Sequence, residues 1–313
     1  MPLSLSGKLA LGCRRILATH LRHNWPAAGS ETGVSVVTVN WNTKDLLAGL
    51  VFSLCRILGR AQLVRIVVVD NGSTDGSRDL IGALADAGLV DPVWNRRQRY
   101  HGPGLNDGVE FLRRRQVHAS DPRDRTRFIW TLDTDAAVLR ADTLTAALPA
   151  MAQAHAALCG EYQTGEMPEG YAHVSSLLFE PARVWRRGFS PFEEHGVPAL
   201  TLQRSMIRRG VPRLDFPFRR AGYVVHLGHG TLRAVAEASA RSNRYFDWAC
   251  EHRDPHFGDT RGAWLYEEFV DRFREEAGDR SAQAVVDACL RPDRIQLTRP
   301  YARHSGNGVT GLP

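Results

Sequence analysis

Lysine is almost missing from this sequence, since Lys8 and Lys44 are the only two among its 40 basic residues. Such a preference for arginine is typical of a GC-rich genome and carries no functional information by itself. The chain also has 34 acidic residues, which leaves a formal net charge of +6. That charge is consistent with an anionic partner such as a phosphate group, a membrane surface or nucleic acid, and it does not choose among them.

Long hydrophobic runs are also missing. No uninterrupted apolar stretch approaches the roughly 18–20 residues that a membrane-spanning helix needs. Residues 1–32 lack the continuous apolar core and the small-residue cleavage site of a secretory signal. The hydrophobic fraction of 43% and the charged fraction of 24% are those of a globular protein, which excludes a collagen, a coiled-coil rod and a wholly disordered chain.

Cysteine motifs are the third absence. The five cysteines are scattered, with no CxxC pair and no Cys/His cluster, which argues against a zinc site or a disulfide framework. Buried free thiols in a reducing compartment are the expectation, so we predict a cytoplasmic protein. No GxGxxG motif follows the first predicted strand, which argues against a dinucleotide-dependent oxidoreductase.

Composition divides the chain into four regions. Residues 1–32 are predicted to form a basic helical appendage, which either packs on its own domain or makes a peripheral contact with an anionic membrane. Residues 33–230 are the main domain, residues 231–298 a helical C-terminal extension, and residues 299–313 a loose tail. The extension either shapes access to a ligand or mediates self-association, for example as a homodimer.

The main domain alternates between strand and helix patterns. Short β-branched runs at Val34–Asn40, Val64–Asp70 and Phe128–Leu132 are typical of buried strands. Thr43 is expected to cap the helix after the first strand through its hydroxyl group. This order predicts an α/β fold with a mostly parallel sheet that helices cover on both faces.

Polar side chains follow three of these predicted strands, and ligands of open α/β sheets bind beyond the carboxyl ends of the strands. Two carboxylates spaced i, i+2 outside a helix, such as Asp133 and Asp135, can converge on Mg²⁺ or Mn²⁺. Asp70 or Asp133 alone could equally serve as a helix cap or a turn former. The clusters are Thr38 with Asn40, Asp70 with Asn71, and Asp133-Thr134-Asp135.

Four segments together resemble a known family. In chain order they are VSVVTVNWN from Val34, VVVDNGSTDGS from Val67, GLNDG from Gly104 and FIWTLDTD from Phe128. They look like the family-2 glycosyltransferases of the GT-A fold, and the resemblance covers roughly residues 33–230. It implies a Rossmann-like, mostly parallel central sheet. It also implies transfer of a sugar from a nucleotide-diphosphate donor to an acceptor hydroxyl, with inversion at the anomeric carbon.

The resemblance also implies roles for individual residues. Asp135 is the expected direct ligand of Mn²⁺ or Mg²⁺, and Asp133 faces either the metal or the ribose. His226 stands in VVHLGHGT, which resembles the late histidine motif of the family, and is a third metal ligand or a diphosphate contact, with His229 as a second candidate. The residues expected around the nucleotide sugar are Thr38, Asn40, Asp70, Asn71, Asn106, Asp133 and Thr134, with Asp107 beside the pocket floor.

The general base is where the sequence departs from the family pattern. A Glu-Asp pair is expected after a glycine at the start of a helix, but Val197 and Pro198 follow Gly196. Glu193 and Glu194 are the nearest carboxylates and are the candidate catalytic bases, and the neighbouring His195 could serve instead. The departure also leaves open a relative that binds nucleotide or sugar without turnover.

Donor and acceptor follow only by analogy with the family. UDP- or dTDP-sugars are the expected donors, so the enzyme would be a hexosyl- or deoxyhexosyltransferase. The acceptor would be a glycan, a lipid-linked glycan or a small natural product. A nucleotidyltransferase is a weaker alternative, because Asn40-Trp41-Asn42-Thr43 is not a glycine- and arginine-rich phosphate loop. Nucleic acid is not expected as a partner, because no binding motif accompanies the positive charge.

Overall fold

The computed structural model describes residues 33–117, 125–162, 170–185, 192–193, 198–228 and 261–298. Several predictions lie outside these residues. They are the N-terminal appendage, the tail, the first part of the C-terminal extension and the roles of Glu194, His195 and His229.

Nine strands occur in the described part of the chain. They are β1 (Val34–Asn40), β2 (Leu63–Asp70), β3 (Asp91–Trp94), β4 (Phe128–Leu132), β5 (Ala136–Val138), β6 (Leu158–Tyr162), β7 (Ala172–Phe179), β8 (Arg213–Asp215) and β9 (Val224–His226).

Helices connect and cover these strands. They are α1 (Lys44–Ser53), α2 (Ser77–Asp86), α3 (His101–Val117), α4 (Thr143–Gln153), α5 (Pro181–Trp185), α6 (Leu200–Arg208), α7 (Arg261–Ala277) and α8 (Ala282–Leu290). A π-helical stretch (Leu54–Gly59) and a short 3-10 turn (Arg60–Gln62) continue α1. Gly59 ends the stretch at a φ of 92°, which a residue with a side chain adopts only at a cost.

The central sheet has seven strands in the order β3-β2-β1-β4-β7-β6-β8. Strands β3, β2, β1 and β4 run parallel, while β7 runs antiparallel to both β4 and β6. The predicted α/β architecture with a mostly parallel central sheet is therefore confirmed. Asn40 lies opposite Asp70 in the β1–β2 register, so the carboxyl ends of these strands meet at one edge of the sheet.

Alternation along β1 explains why both faces of the sheet are covered. Val34 and Val36 point into one apolar core, and Val37 points into the other, because successive side chains of a strand face opposite ways. The first core contains residues of α1, α2, α7 and α8, and the second contains residues of α3 and α6. The parallel strands are consequently apolar on both sides, which is the reason for their continuous β-branched runs.

Helices α7 and α8 belong to the same core as α1. The rings of Phe269 and Phe273 lie 6.0 and 5.0 Å from the ring of Phe52. The buried guanidinium of Arg56 donates to the carboxylate of Glu276 and, at 2.8 Å, to the carbonyl of Ala288. Such a buried charge is tolerable only when it is paired and hydrogen-bonded, so these contacts join the two helices firmly to the sheet domain. None of the described helices combines the length and the apolar character that crossing a membrane requires.

Candidate functional site

Asp133, Asp135 and His226 converge beyond the carboxyl end of β4. One ligand atom from each lies within 4.8 Å of the others, which makes this the group in the described part of the chain that could hold a metal ion. The Nε2 atom of His226 lies 3.2 Å from Oδ2 of Asp133 and 3.2 Å from Oδ1 of Asp135. The structure thus brings together the three residues that the sequence named as metal ligands.

A small second sheet explains why His226 is here. Strand β5 begins directly after Asp135 and pairs with β9 in antiparallel fashion, so that Ala136 lies opposite His226. The amide of Leu227 also donates to the carbonyl of Asp135 at 3.0 Å. The turn itself is closed by the amide of Ala136, which donates to the carbonyl of Asp133 at 3.0 Å and leaves the carboxylate out of the turn.

The electrostatics of the group reflect two acids around one imidazole. Burial by itself lowers the pKa of His226, but Asp135 and Asp133 more than offset it and raise this pKa to about 10. Burial favours the neutral acid of Asp133, yet His101 and His226 hold its pKa well below the usual range. The charged forms of His226 and Asp133 therefore stabilise each other.

The donor set fits a divalent cation. Oδ1 of Asp133 is buried and accepts no hydrogen bond from the described part of the chain, although a buried carboxylate oxygen normally has a partner. Two carboxylates and one imidazole suit Mn²⁺, and the two carboxylates suit Mg²⁺ as well. A cation among these atoms would take the place of the His226 proton.

Two further histidines lie beside the group, and the sequence reasoning missed both. Nε2 of His101, the first residue of α3, lies 3.3 Å from Oδ1 of Asp133. The ring centroid of His173 lies 5.7 Å from that of His226, and burial lowers the pKa of His173 to about 4. Neither stands in a motif. The only local signal is that His101 precedes Gly-Pro-Gly where a helix begins.

Asp70 lies at the neighbouring strand end in a different environment. Its Oδ2 accepts hydrogen bonds from the amides of Gly72 and Ser73, each at 3.2 Å, and from Arg78 at 3.0 Å. Its Oδ1 accepts one from the side chain of Asn40 at 3.2 Å. Asp70 and Asn40 are both fully buried, so their polar groups hold this turn together.

A chain of hydrogen bonds connects the two strand ends. The Thr43 hydroxyl donates to Oδ1 of Asn40 at 2.8 Å and lies 2.9 Å from the hydroxyl of Thr134. Because the Thr43 proton is used on Asn40, Thr134 is the donor in the second bond. Thr43 therefore makes no side-chain cap for α1, contrary to expectation, because its hydroxyl serves this link instead. The buried hydroxyl of Thr38 has no hydrogen-bond partner among the residues that the structure describes.

A third polar network covers the ends of β2 and β3. The side chain of Asn95 donates to Oδ1 of Asn71 at 2.9 Å and to the carboxylate of Asp107 at 3.1 Å. Arg99 donates to the same carboxylate at 2.6 Å. Burial nevertheless raises the pKa of Asp107, and Arg99 only partly opposes this. Asn71 also donates to the carbonyl of Arg99.

Asn106 is buried and turns toward a segment distant in sequence. Its amide nitrogen donates to the carbonyl of Phe192 at 2.9 Å, and its amide oxygen accepts from the Phe192 amide at 3.0 Å. The next residue is Glu193, a candidate base, whose amide donates to the carbonyl of Pro198 at 2.8 Å. Asn106 therefore contacts the candidate base segment. The other candidate base, Glu194, lies outside the described residues.

Comparison with known proteins adds the following. Residues 35–212 match the model of a family described as glycosyl transferase family 2. No curated protein matches the chain significantly.

Three solved structures are similar at low identity. TarS of S. aureus, residues 1–349, is 14% identical with a TM-score of 0.44, over 78% of this chain and 72% of that one. The mannosyltransferase PcManGT from Pyrobaculum calidifontis, in complex with GDP-Man and Mn²⁺, is 18% identical with a TM-score of 0.47, over 89% and 83%. Glucosyl-3-phosphoglycerate synthase from Mycobacterium tuberculosis is 13% identical with a TM-score of 0.42, over 76% and 85%. Likeness at this level says nothing about what the present chain binds.

Proposed function

The chain belongs to glycosyl transferase family 2, and from that premise we propose that it transfers a hexosyl or deoxyhexosyl group from a UDP- or dTDP-sugar to an acceptor hydroxyl with inversion. The observation that carries the proposal is the convergence of Asp133, Asp135 and His226 beyond the end of β4. Ligands of open α/β sheets bind at such an edge. A divalent cation needs oxygen or imidazole ligands such as those that meet here, and it can at the same time bind the oxygens of a nucleotide diphosphate.

The metal group has a defined part in this reaction. Asp135 and His226 would hold the ion directly, and Asp133 would face either the ion or the ribose. When bound, Mn²⁺ or Mg²⁺ supplies a Lewis acid that stabilises the charge developing on the leaving diphosphate. Thr134 stands between the two acids and holds their turn through its bond to Thr43.

The nucleotide is proposed to lie over the carboxyl ends of β1 and β2. The hydrogen-bonded pair of Asn40 and Asp70, the network of Asn71, Asn95 and Asp107 and the buried hydroxyl of Thr38 would shape the floor of this site. Because these groups are largely occupied by each other, they present a rigid, preorganised surface to the donor.

The acceptor would be activated from the opposite side by Glu194 or Glu193. Burial raises the pKa of Tyr171 well above the usual range, and the negative charges of Asp133 and Glu193 raise it further. A general base must lie within hydrogen-bond reach of the acceptor hydroxyl in the bound complex.

The acceptor class, the compartment and the assembly complete the proposal. We propose a glycan, a lipid-linked glycan or a small natural product as the acceptor. We propose the cytoplasm as the compartment, with a peripheral membrane contact through residues 1–32. We also propose that the protein forms a homodimer. The compartment is supported by Cys55, Cys159 and Cys289, which are buried as free thiols.

The test is thermal unfolding with UDP, dTDP or GDP, each with and without Mn²⁺. A nucleotide at about 100 times its dissociation constant should add roughly 2.7 kcal/mol of stability. We expect stabilisation that needs the metal and disappears in Asp135→Asn, but persists in Asp287→Asn, a control on the exposed face of α8. If no nucleotide stabilises the wild type, the donor site is absent and the proposal fails.

A binding-only relative is the second candidate, because no Glu-Asp pair follows Gly196. It predicts the same metal-dependent stabilisation without release of nucleotide from any of UDP-glucose, UDP-GlcNAc, dTDP-glucose or GDP-mannose. Nucleotide release that depends on Glu193 or Glu194 would exclude it.

A further inference from the structure

The side chain of Asn106 pairs with the backbone of a single residue, Phe192, far away in the chain. Both ends of its amide are used, one on the carbonyl and one on the amide of Phe192, at 2.9 and 3.0 Å. In a β-sheet, the N–H and the C=O of a residue are likewise both bonded to a neighbouring strand. Asn106 is only 6% exposed, so water cannot replace either bond readily.

Phe192 is held by its ring as well as by its peptide. The ring is buried in the second core and meets the ring of Phe179 edge-on, with centroids 6.0 Å apart. The two attachments leave the peptide little freedom to shift. The position of Glu193, the next residue, is therefore restricted at its amino-terminal side.

The backbone of Glu193 packs against the first turn of α3. A Cβ atom added at Gly102 would overlap the carbonyl oxygen of Glu193, so only glycine fits there. The amide of Glu193 donates to the carbonyl of Pro198 at 2.8 Å, just before α6. Glu193 is thus bonded to Pro198 and packs against α3.

The same end of α3 also reaches the metal group. His101 lies 3.3 Å from Oδ1 of Asp133, one residue before Gly102 and five before Asn106. A single rigid helix therefore contacts Asp133 at its first residue and the Phe192–Glu193 segment along its first two turns. The metal group and the Phe192–Glu193 segment therefore share one supporting helix.

We propose that Asn106 is a positioning residue for catalysis, which holds the Phe192–Glu193 peptide on α3 so that the candidate base stays at a fixed distance from the metal group. The inference rests on the proposed function. It gives Asn106 a role different from the nucleotide contact that family resemblance implies. No smaller side chain satisfies both polar groups of the Phe192 peptide, and leaving them buried and unpaired is costly.

We call the two hydrogen bonds between Asn106 and the backbone of Phe192 the clamp. Hydrogen exchange tests the clamp without any substrate. Asn106→Ala removes both bonds, and Asn106→Asp keeps an acceptor for the amide but sets an oxygen against the Phe192 carbonyl. In both variants the amides of Phe192 and Glu193 should exchange at least tenfold faster. Ser35→Ala is the control, because it removes a buried 2.7 Å hydrogen bond to Thr126 at the other end of β1. There these amides should exchange as in the wild type.

Kinetics then test the link to catalysis. With Mn²⁺ and the nucleotide sugar that the wild type turns over, both Asn106 variants should lower kcat by 10- to 100-fold. A displacement of about 1 Å is enough for such a loss. The dissociation constant for the free nucleotide with Mn²⁺ should stay within twofold of wild type, and Ser35→Ala should keep the wild-type kcat.

Each other outcome overturns the proposal in a recognisable way. Weaker nucleotide binding with unchanged exchange at Phe192 would show that Asn106 contacts the nucleotide directly. Faster exchange with unchanged kcat would show that the clamp does not position the base. If the wild type binds nucleotide without turnover, there is no catalytic base for Asn106 to position. The positioning role then fails, even if the exchange rates show that Asn106 holds the backbone of Phe192.

Discussion

Two strand ends of this protein each carry an aspartate, and the two aspartates have different surroundings. Asp70, which is fully buried, ends β2 with four hydrogen bonds to its carboxylate, three of them to Oδ2. Asp133, which is partly exposed, follows β4; its buried Oδ1 accepts no hydrogen bond from the described residues, and His101 and His226 lie beside it. The oxygens of a carboxylate at a strand end can thus either accept hydrogen bonds within the following turn or remain accessible to a ligand.

The turns explain the difference. Gly72 has a φ of 78°, a conformation that lets the amides of Gly72 and Ser73 point back at the Asp70 carboxylate. After β4, the amide of Ala136 is bonded to the backbone carbonyl of Asp133 instead. The Asp70 carboxylate therefore accepts hydrogen bonds within its own turn, whereas the Asp133 carboxylate lies against His101 and His226.

The largest expected effect is on stability and comes from the closed strand end. Asp70→Ala leaves two backbone amides, Asn40 and Arg78 without their acceptor in a buried turn. We expect the free energy of unfolding in urea to fall by about 3 kcal/mol. Mn²⁺ affinity of the folded protein should change little. A variant as stable as the wild type would mean that the turn does not depend on this carboxylate.

The open strand end should make stability depend on pH when no metal is bound. The pKa of His226 is raised from 6.5 to about 10 in the folded protein. Its contribution is fully present below the unfolded value of 6.5 and is lost as the pH rises through about 10. Thermal melts in EDTA should therefore show the advantage of wild type over His226→Gln shrinking from pH 6.5 to 10. An advantage that stays constant across this range would contradict the charged pairing.

Metal binding separates the two strand ends most directly. His226→Gln should weaken Mn²⁺ binding at least tenfold, about 1.4 kcal/mol, because one of three ligand groups is lost. Asp75→Asn, on the exposed loop after β2, is the control and should bind like the wild type. Calorimetric titration with Mn²⁺ alone gives both constants. Equal constants for His226→Gln and wild type would place the metal elsewhere.

The smallest effect should come from cutting the link between the two ends. Thr43→Val keeps the shape of the side chain but removes the bonds to Asn40 and Thr134. The free energy of unfolding should fall by about 1 kcal/mol. If Mn²⁺ affinity falls as well, but less than in His226→Gln, the link transmits order from one strand end to the other. Unchanged stability would show that the hydroxyl contributes nothing net.

Sequence patterns predicted much of the fold because the parallel strands are apolar on both sides. The runs at Val34–Asn40 and Val64–Asp70 could hardly be anything but buried strands. The antiparallel course of β7 and the pairing of β5 with β9 were not predicted. Both depend on contacts between segments far apart in the chain, which local periodicity does not encode.

The candidate site divides in the same way. The spacing of Asp133 and Asp135 and the motif around His226 were enough to predict three residues that the structure brings together as a group that could hold a metal ion. His101 and His173 were missed, because nothing in their local sequence distinguishes them from surface or core histidines. The nucleotide contact of Asn106 stays a prediction, and its hydrogen bonds to the backbone of Phe192 were not predicted, because they join segments far apart in the chain.

The order of residues along the chain dictates which residue types end each strand and therefore where carboxylates and histidines occur. Which of those groups remain accessible to a ligand depends on the folded arrangement. Asp70 and Asp133 both follow predicted strands, yet the Asp70 carboxylate accepts hydrogen bonds from the amides of its own glycine turn. Among the described residues, no amide of the turn after β4 donates to Oδ1 of Asp133. The register between β5 and β9 then brings His226 to Asp133. Hydrogen bonds within a turn are local, whereas the meeting of ligands from separate strands depends on how the whole chain packs.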